Sequence, residues 1–222
     1  MNNNKLSRID QQIKTELMQY AVTRYGREFE EVFYETAIDA TQSYVLCLTD
    51  MQGRVFNVYE HAETGARTDD YKNSIADHKM RDFLKDYLGL DILGGEIGVM
   101  AVMHLPVELE VLEKMSAQEC IDQFGLYSLI FVYQFDGEKG SIEKNSEKIL
   151  EIYQKLQKIN ADTIDFNVVV TSGDATAVQN TRVNMRYRYS GNWYSYDCVQ
   201  EYISDANPKL TDVTDIVALV KE

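Results

Sequence analysis

A chain of 222 residues, 45% hydrophobic and 26% charged, is long enough to bury a core and too apolar to stay disordered. Its 36 Asp and Glu outnumber 22 Lys and Arg, for a formal charge of −14. That surface repels phosphate backbones and anionic lipids, so nucleic acid and membrane insertion are not expected, whereas a basic protein partner would be attracted. With two prolines and no Gly/Ser run there is no flexible linker. One domain over 1–222 is expected, with any sub-division near 106–116.

The opening residues, MNNNKLSRID, hold no apolar export region, and no stretch approaches the ~18 apolar residues of a membrane helix. A cytoplasmic location is expected as written, or a cell-surface lipoprotein if an N-terminal export segment has been removed. Cys47, Cys120 and Cys198 are far apart and form no CxxC pair, which argues for free, buried thiols over a zinc site.

In chain order, Leu6, Ile9, Ile13, Leu17, Ala21 and Tyr25 recur at steps of three and four. They predict an amphipathic helix ended by Gly26. Glu28 to Tyr34 reads as a strand. Tyr44 to Thr49 and Arg54 to Tyr59 read as a hairpin about Asp50-Met51-Gln52-Gly53, with Gly53 at positive φ. The polar segment 63–68 reads as a loop. Thr68 then caps a helix whose first turn holds Asp69 and Asp70 and whose apolar face runs from Ile75 to Leu88, stopped by Gly89.

A strand is expected over Ile97–Leu105. Ser116 and Glu119 form a capping box opening a short helix. Tyr127 to Phe135 is apolar almost throughout and reads as a strand covered on both faces. A long helix with Ile149, Leu150, Tyr153, Leu156 and Ile159 on one face leads to a strand over Thr163–Thr171, a possible parallel crossover. Arg182 to Tyr189 alternates strictly and pairs with Trp193 to Val199 about a Ser190-Gly191-Asn192 turn. Leu210 to Val220 slightly favours a short helix. The fold class is therefore α+β: about eight mainly antiparallel strands, in one sheet or two, with three long helices near 5–25, 69–88 and 142–159.

Tyr25-Gly26-Arg27-Glu28-Phe29 ends the first helix, Asp69-Asp70-Tyr71 heads the second, Met115-Ser116-Ala117-Gln118-Glu119 opens the short one, and Ile152-Tyr153 lies in the third. In these the chain resembles a set of uncharacterised α+β proteins of Gram-positive bacteria, many of them lipoproteins, over about its first three quarters. It departs from them in lacking a lipid-attachment cysteine near its start. The resemblance implies the fold and a possible surface setting; it brings no activity and no catalytic residues.

Catalytic signatures are absent from the sequence: no GxSxG elbow, P-loop or HExxH, and Gly94-Gly95-Glu96-Ile97-Gly98 precedes a strand, as a turn would. His61, His78 and His104 are isolated, and no cofactor is implied. The acid pairs Asp69-Asp70, Glu30-Glu31 and Glu108 with Glu110 could form a dyad only if the fold set partners across a cleft; Asp69 and Asp70 already suit a helix start. The compositional anomaly is the last hairpin. Three of nine arginines, Arg182, Arg186 and Arg188, share one strand face with Asn184 between, and Trp193 and Tyr194 stand on the return strand. Arginine and aromatic side chains are enriched at binding hot spots and fork to carboxylates or phosphates. The bland alternative is cross-strand ion pairing. The sequence thus favours a non-enzymatic binding or protein-interaction domain with these five residues as its recognition surface. Two rivals are a small-ligand enzyme or binding protein with a pocket between sheet and helices, and an immunity-type inhibitor of a basic toxin. The oligomeric state is not fixed by sequence.

Overall fold

The computed structural model describes residues 7–35, 43–89, 96–172 and 199–221. Among these the chain forms seven helices and two four-stranded sheets. It divides into two compact units, Met1–Ser74 and Ile75–Glu222, at a point inside the helix Tyr71–Leu88.

In the first unit, helix α1 (Arg8–Tyr25) opens with a reciprocal capping box between Ser7 and Asp10 and closes at Gly26, whose φ of +62° is the left-handed conformation a side chain would resist. The strands β1 (Glu30–Glu35), β2 (Ser43–Thr49), β3 (Val55–His61) and β4 (Arg67–Asp69) form an antiparallel sheet in that order. Asp50 to Gly53 makes the β2–β3 turn, with Gly53 at φ +72°. The register pairs Leu46 with Val58 and Leu48 with Phe56, so these four apolar side chains share one face. All four are fully buried, as are Leu17 and Ala21 of α1, which packs on β2 and β3. Each such large side chain contributes about 1.5–3 kcal/mol by leaving water.

In the second unit, α2 (Tyr71–Leu88, divided after Ser74) precedes β5 (Glu96–Val102), α3 (Leu109–Lys114), α4 (Ala117–Phe124) and β6 (Leu126–Asp136). Then come α5 (Ser141–Lys144), α6 (Ser146–Leu156), β7 (Ala161–Thr171), β8 (Val199–Ala206) and α7 (Val213–Ala218). The sheet order is β5-β6-β7-β8, antiparallel except for β6 and β7, which run parallel through the α5–α6 crossover. The central strand β6 is buried continuously from Leu129 to Phe135, as its nearly unbroken apolar run requires. Asp77 of α2 accepts the Ala101 amide at 2.7 Å, and Lys79 donates to the Glu113 and Met115 carbonyls around the end of α3. These bonds hold the part of α2 that follows Ser74 within the second unit.

Several expectations are corrected. Segment 63–68 is not all loop: Arg67 and Thr68 belong to β4, a three-residue polar strand that carries no hydrophobic alternation to reveal it. Consequently Thr68 does not cap α2, and Asp69 and Asp70 precede its first turn, which holds no acid. The single helix expected over 142–159 is two, broken at Asn145, where φ is −108° and ψ 13°. The sequence reading does not anticipate helix α3, strand β8 or the capping boxes Ser7–Asp10 and Asp212–Asp215, while the parallel crossover, the Ser116–Glu119 capping box and the C-terminal helix lie where the spacing places them. The hairpin over 182–199 lies outside the described residues, apart from Val199, which begins β8.

Candidate functional site

Arg182, Arg186, Arg188, Trp193 and Tyr194 all lie outside the described residues. The polar and aromatic cluster that the structure does assemble is in the first unit, where the end of α1, the β2–β3 turn and the β4–α2 junction meet. Tyr25 and Phe29, from the segment that ends α1, pack edge-on against Tyr71, the first residue of α2, with ring centroids 4.8 and 5.4 Å from its own. Phe56 of β3 completes the wedge, 4.5 Å from Tyr71 and 5.0 Å from Phe29. Two motifs 44 residues apart are thereby one packing unit.

Beneath the wedge is a buried ion pair. Arg54 Nε donates to Asp50 Oδ2 at 2.5 Å, with side-chain exposures of only 7% and 4%. Asp50 Oδ1 accepts the amides of Gln52 and Arg54, and its Oδ2 also accepts the Tyr71 hydroxyl at 2.7 Å. That hydroxyl in turn accepts from Arg54 at 2.9 Å and Arg27 at 3.1 Å. Burial pushes the Asp50 carboxyl up, but hydrogen bonds from Tyr71 and from the Arg54 amide and guanidinium more than offset it, and the net shift is downward. The signal in the sequence was a pair of opposite charges bracketing a tight turn, Asp50-Met51-Gln52-Gly53-Arg54; nothing local says that Tyr71 will cover it.

Asp69 is the second hub. Its Oδ1 accepts the Tyr25 hydroxyl at 2.5 Å and the Tyr71 amide at 3.1 Å, and its Oδ2 accepts the Tyr20 hydroxyl at 3.2 Å. Burial, with Asp69 beside them, raises both phenols above their ordinary range. Arg24 approaches Asp69 Oδ2 only to 3.5 Å; it lies over the Tyr20 and Tyr25 rings at 5.6 and 5.7 Å and donates to the Tyr20 hydroxyl. Its side chain is 51% exposed, against 4% for Asp69.

Arg24 opens onto a groove of about 460 Å³ lined by Glu16, Gln19, Tyr20, Thr23, Arg24 and Arg67. Arg67 of β4 spans to Glu16 of α1 and holds Glu60 of β3 at 2.6 Å. Hydrogen bonds from Gln12 and Arg67 keep the Glu16 carboxyl below its usual range.

Elsewhere, Glu31 pairs with Lys14 at 2.7 Å, Glu110 lies in the first turn of α3, and Glu108 is the residue before that helix. His61 ends β3, and His78 Nδ1 is 3.1 Å from Arg81. Among the described residues no group of three His, Cys, Asp or Glu side chains converges to hold a metal. Cys47 and Cys120 are free and buried, and burial raises the Cys120 thiol. No helix among the described residues is long and apolar enough to cross a membrane.

No protein-family model matches the sequence, and no curated protein is significantly similar to it. Among solved structures, the fold is similar to that of a DUF5037 family protein from Ruminococcus gnavus ATCC 29149. The TM-score is 0.53 at 11% sequence identity, over 95% of this chain and 98% of that one. At that identity the likeness speaks to the fold alone: an α+β architecture shared with a bacterial protein.

Proposed function

We propose that this chain is a non-enzymatic binding protein that engages a protein partner. The observation that supports it most directly is the saturation of its two assembled carboxylates. Asp50 takes two amides, a guanidinium and a phenol, and Asp69 takes two phenols and an amide. A carboxylate whose lone pairs are occupied, and whose charge is stabilised as at Asp50, is poorly placed to carry a proton to or from a substrate. These groups act as clamps, and function then rests with exposed side chains.

The recognition surface proposed from the sequence is the strand face of Arg182, Arg186 and Arg188, with Trp193 and Tyr194 on the return strand. One anionic group could meet two guanidiniums spaced two residues apart. The test compares the full chain with R186A/R188A as bait in extracts of the source organism. The expected result is a specific partner captured by the parent and lost by the variant, with the melting temperature nearly unchanged, since exposed ion pairs are worth only about 0–1 kcal/mol. A variant that melts markedly earlier, or that keeps the partner, refutes the arginine surface; substrate turnover by the purified chain refutes the non-enzymatic assignment.

A further inference from the structure

We propose that the groove between α1 and β4 is a docking site for an extended peptide segment of low net charge that carries one acidic side chain. This rests on the binding-protein proposal and supplies it with a class of partner, through residues other than Arg182, Arg186, Arg188, Trp193 and Tyr194.

The first support is the strand edge. Among the described residues β4 is the last strand of its sheet. Bonds from the His61 amide to Ala66 O (3.0 Å) and from the Asp70 amide to Asn57 O (3.2 Å) fix the antiparallel alternation. The backbone groups of Arg67 and Asp69, midway between, therefore turn away from β3. Among the described residues they have no backbone partner. Such an edge accepts a further strand through main-chain bonds alone.

The second support is the wall opposite. Glu16, Gln19, Tyr20, Thr23 and Arg24 are spaced as one flank of α1, and they line the groove together with Arg67. A strand laid there would have main-chain partners on one side and helix side chains on the other. The Tyr20 ring and the stems of Arg24 and Arg67 supply apolar contact, while Gln19 and Thr23 supply hydrogen bonds.

The third support is charge. Arg67 is matched by Glu16 and Glu60. Arg24 is different: its carboxylate neighbour sits at 3.5 Å, with both oxygens already committed to tyrosines and an amide, and half of its side chain meets solvent. The Tyr20 and Tyr25 rings hold the guanidinium in place before anything binds, which lowers the ordering cost of a fork to an incoming carboxylate. The net charge of −14 sets the limit on that partner. A run of acids is repelled as it approaches, whereas one acid among neutral residues feels Arg24 within the screening length of about 8 Å.

The probe is a short acetylated and amidated Thr/Val peptide with one central Glu, titrated into the full isotopically labelled chain and followed by amide resonances. Matched peptides carry Gln or Lys at the centre, and inorganic phosphate is titrated alone. The Glu peptide should shift the Arg67 and Asp69 amides as strand pairing does, and should bind about fivefold more tightly than the Gln peptide, the most that one exposed charge contact supplies. Arg24→Gln should abolish that preference, and Q19E/T23E should weaken the Glu peptide, both with nearly unchanged melting. Four results overturn the site: no shift at Arg67 and Asp69 up to millimolar peptide, an intact Glu preference in R24Q, tighter binding of the Lys peptide, or an equal response to phosphate, which would mark a generic anion contact. Failure here leaves the partner-capture result with R186A/R188A untouched, so the two proposals fail separately.

Discussion

Tyr25, the last residue of α1, donates its hydroxyl to Asp69, the last residue of β4, at 2.5 Å and 44 residues along the chain. The bond closes the first unit: it fastens the C-terminal end of the helix to the edge strand of the sheet that the helix covers. Asp69 cannot play this part as a first-turn acid of α2. The placement of β4 ahead of the helix turns its carboxylate toward the tyrosines.

Tyr25→Phe keeps the ring in the wedge and removes only the hydroxyl. The Asp69 side chain, only 4% exposed, loses one of its donors, which should cost about 1–3 kcal/mol. Urea unfolding of parent and variant measures it. Tyr20→Phe, at a longer and more exposed contact, should cost less; equal costs would show that Asp69 does not discriminate between the two phenols.

The Asp50–Arg54 pair makes stability depend on acid. Burial acts to raise the Asp50 carboxyl, and its hydrogen bonds lower it further than burial raises it, so the folded pKa lies below the unfolded value of about 3.9. Below that value the unfolded chain binds more protons than the folded one. The contribution of Asp50 is therefore complete above about pH 4 and disappears as pH falls through the folded pKa. Asp50→Asn should cost about 3–5 kcal/mol at neutral pH, because it breaks the buried ion pair with Arg54. The same variant should have a flatter acid limb when urea midpoints are measured from about pH 6 downward.

In the second unit, Gly137 leaves no room for a side chain. A Cβ there would stand 2.5 Å from Ser141 Oγ and 3.0 Å from Val170 Cγ1. Ser141 Oγ accepts the Glu138 amide at 3.0 Å, so it cannot move aside without breaking that turn. Gly137→Ala should destabilise by about 1–3 kcal/mol as overpacking does. A melting temperature equal to the parent's would show that the loop relaxes freely.

Glu201 of β8 is buried, and it accepts the amides of Gly140 at 2.9 Å and Ile142 at 2.6 Å, holding the start of α5 against the sheet. Glu201→Gln replaces one acceptor oxygen by a donor that faces an amide. A loss of about 1–3 kcal/mol is expected, with hydrogen exchange at Gly140 and Ile142 accelerated before that at the β6–β7 pairing.

What the sequence determined by itself is what neighbours along the chain decide. Ser116 with Glu119 is a capping box because the two lie three residues apart, and Gly26 and Gly53 stand where only the local backbone matters. The nearly unbroken apolar run Tyr127–Phe135 called for cover on both faces, and from Leu129 to Phe135 it is buried. What only the tertiary structure decided depends on residues distant in sequence. β4 exists because β3 offers it a partner, not because Arg67-Thr68-Asp69 favours a strand, and its formation moves Asp69 from a helix turn to a tyrosine hub. Tyr25-Gly26-Arg27-Glu28-Phe29 and Asp69-Asp70-Tyr71 could be noticed separately in the sequence, but their union in one wedge could not, since it is made by ring contacts and hydrogen bonds across 44 residues. For the same reason the groove beside Arg24 carries no sequence signature: an edge strand and a helix flank become one surface only after the sheet has been assembled.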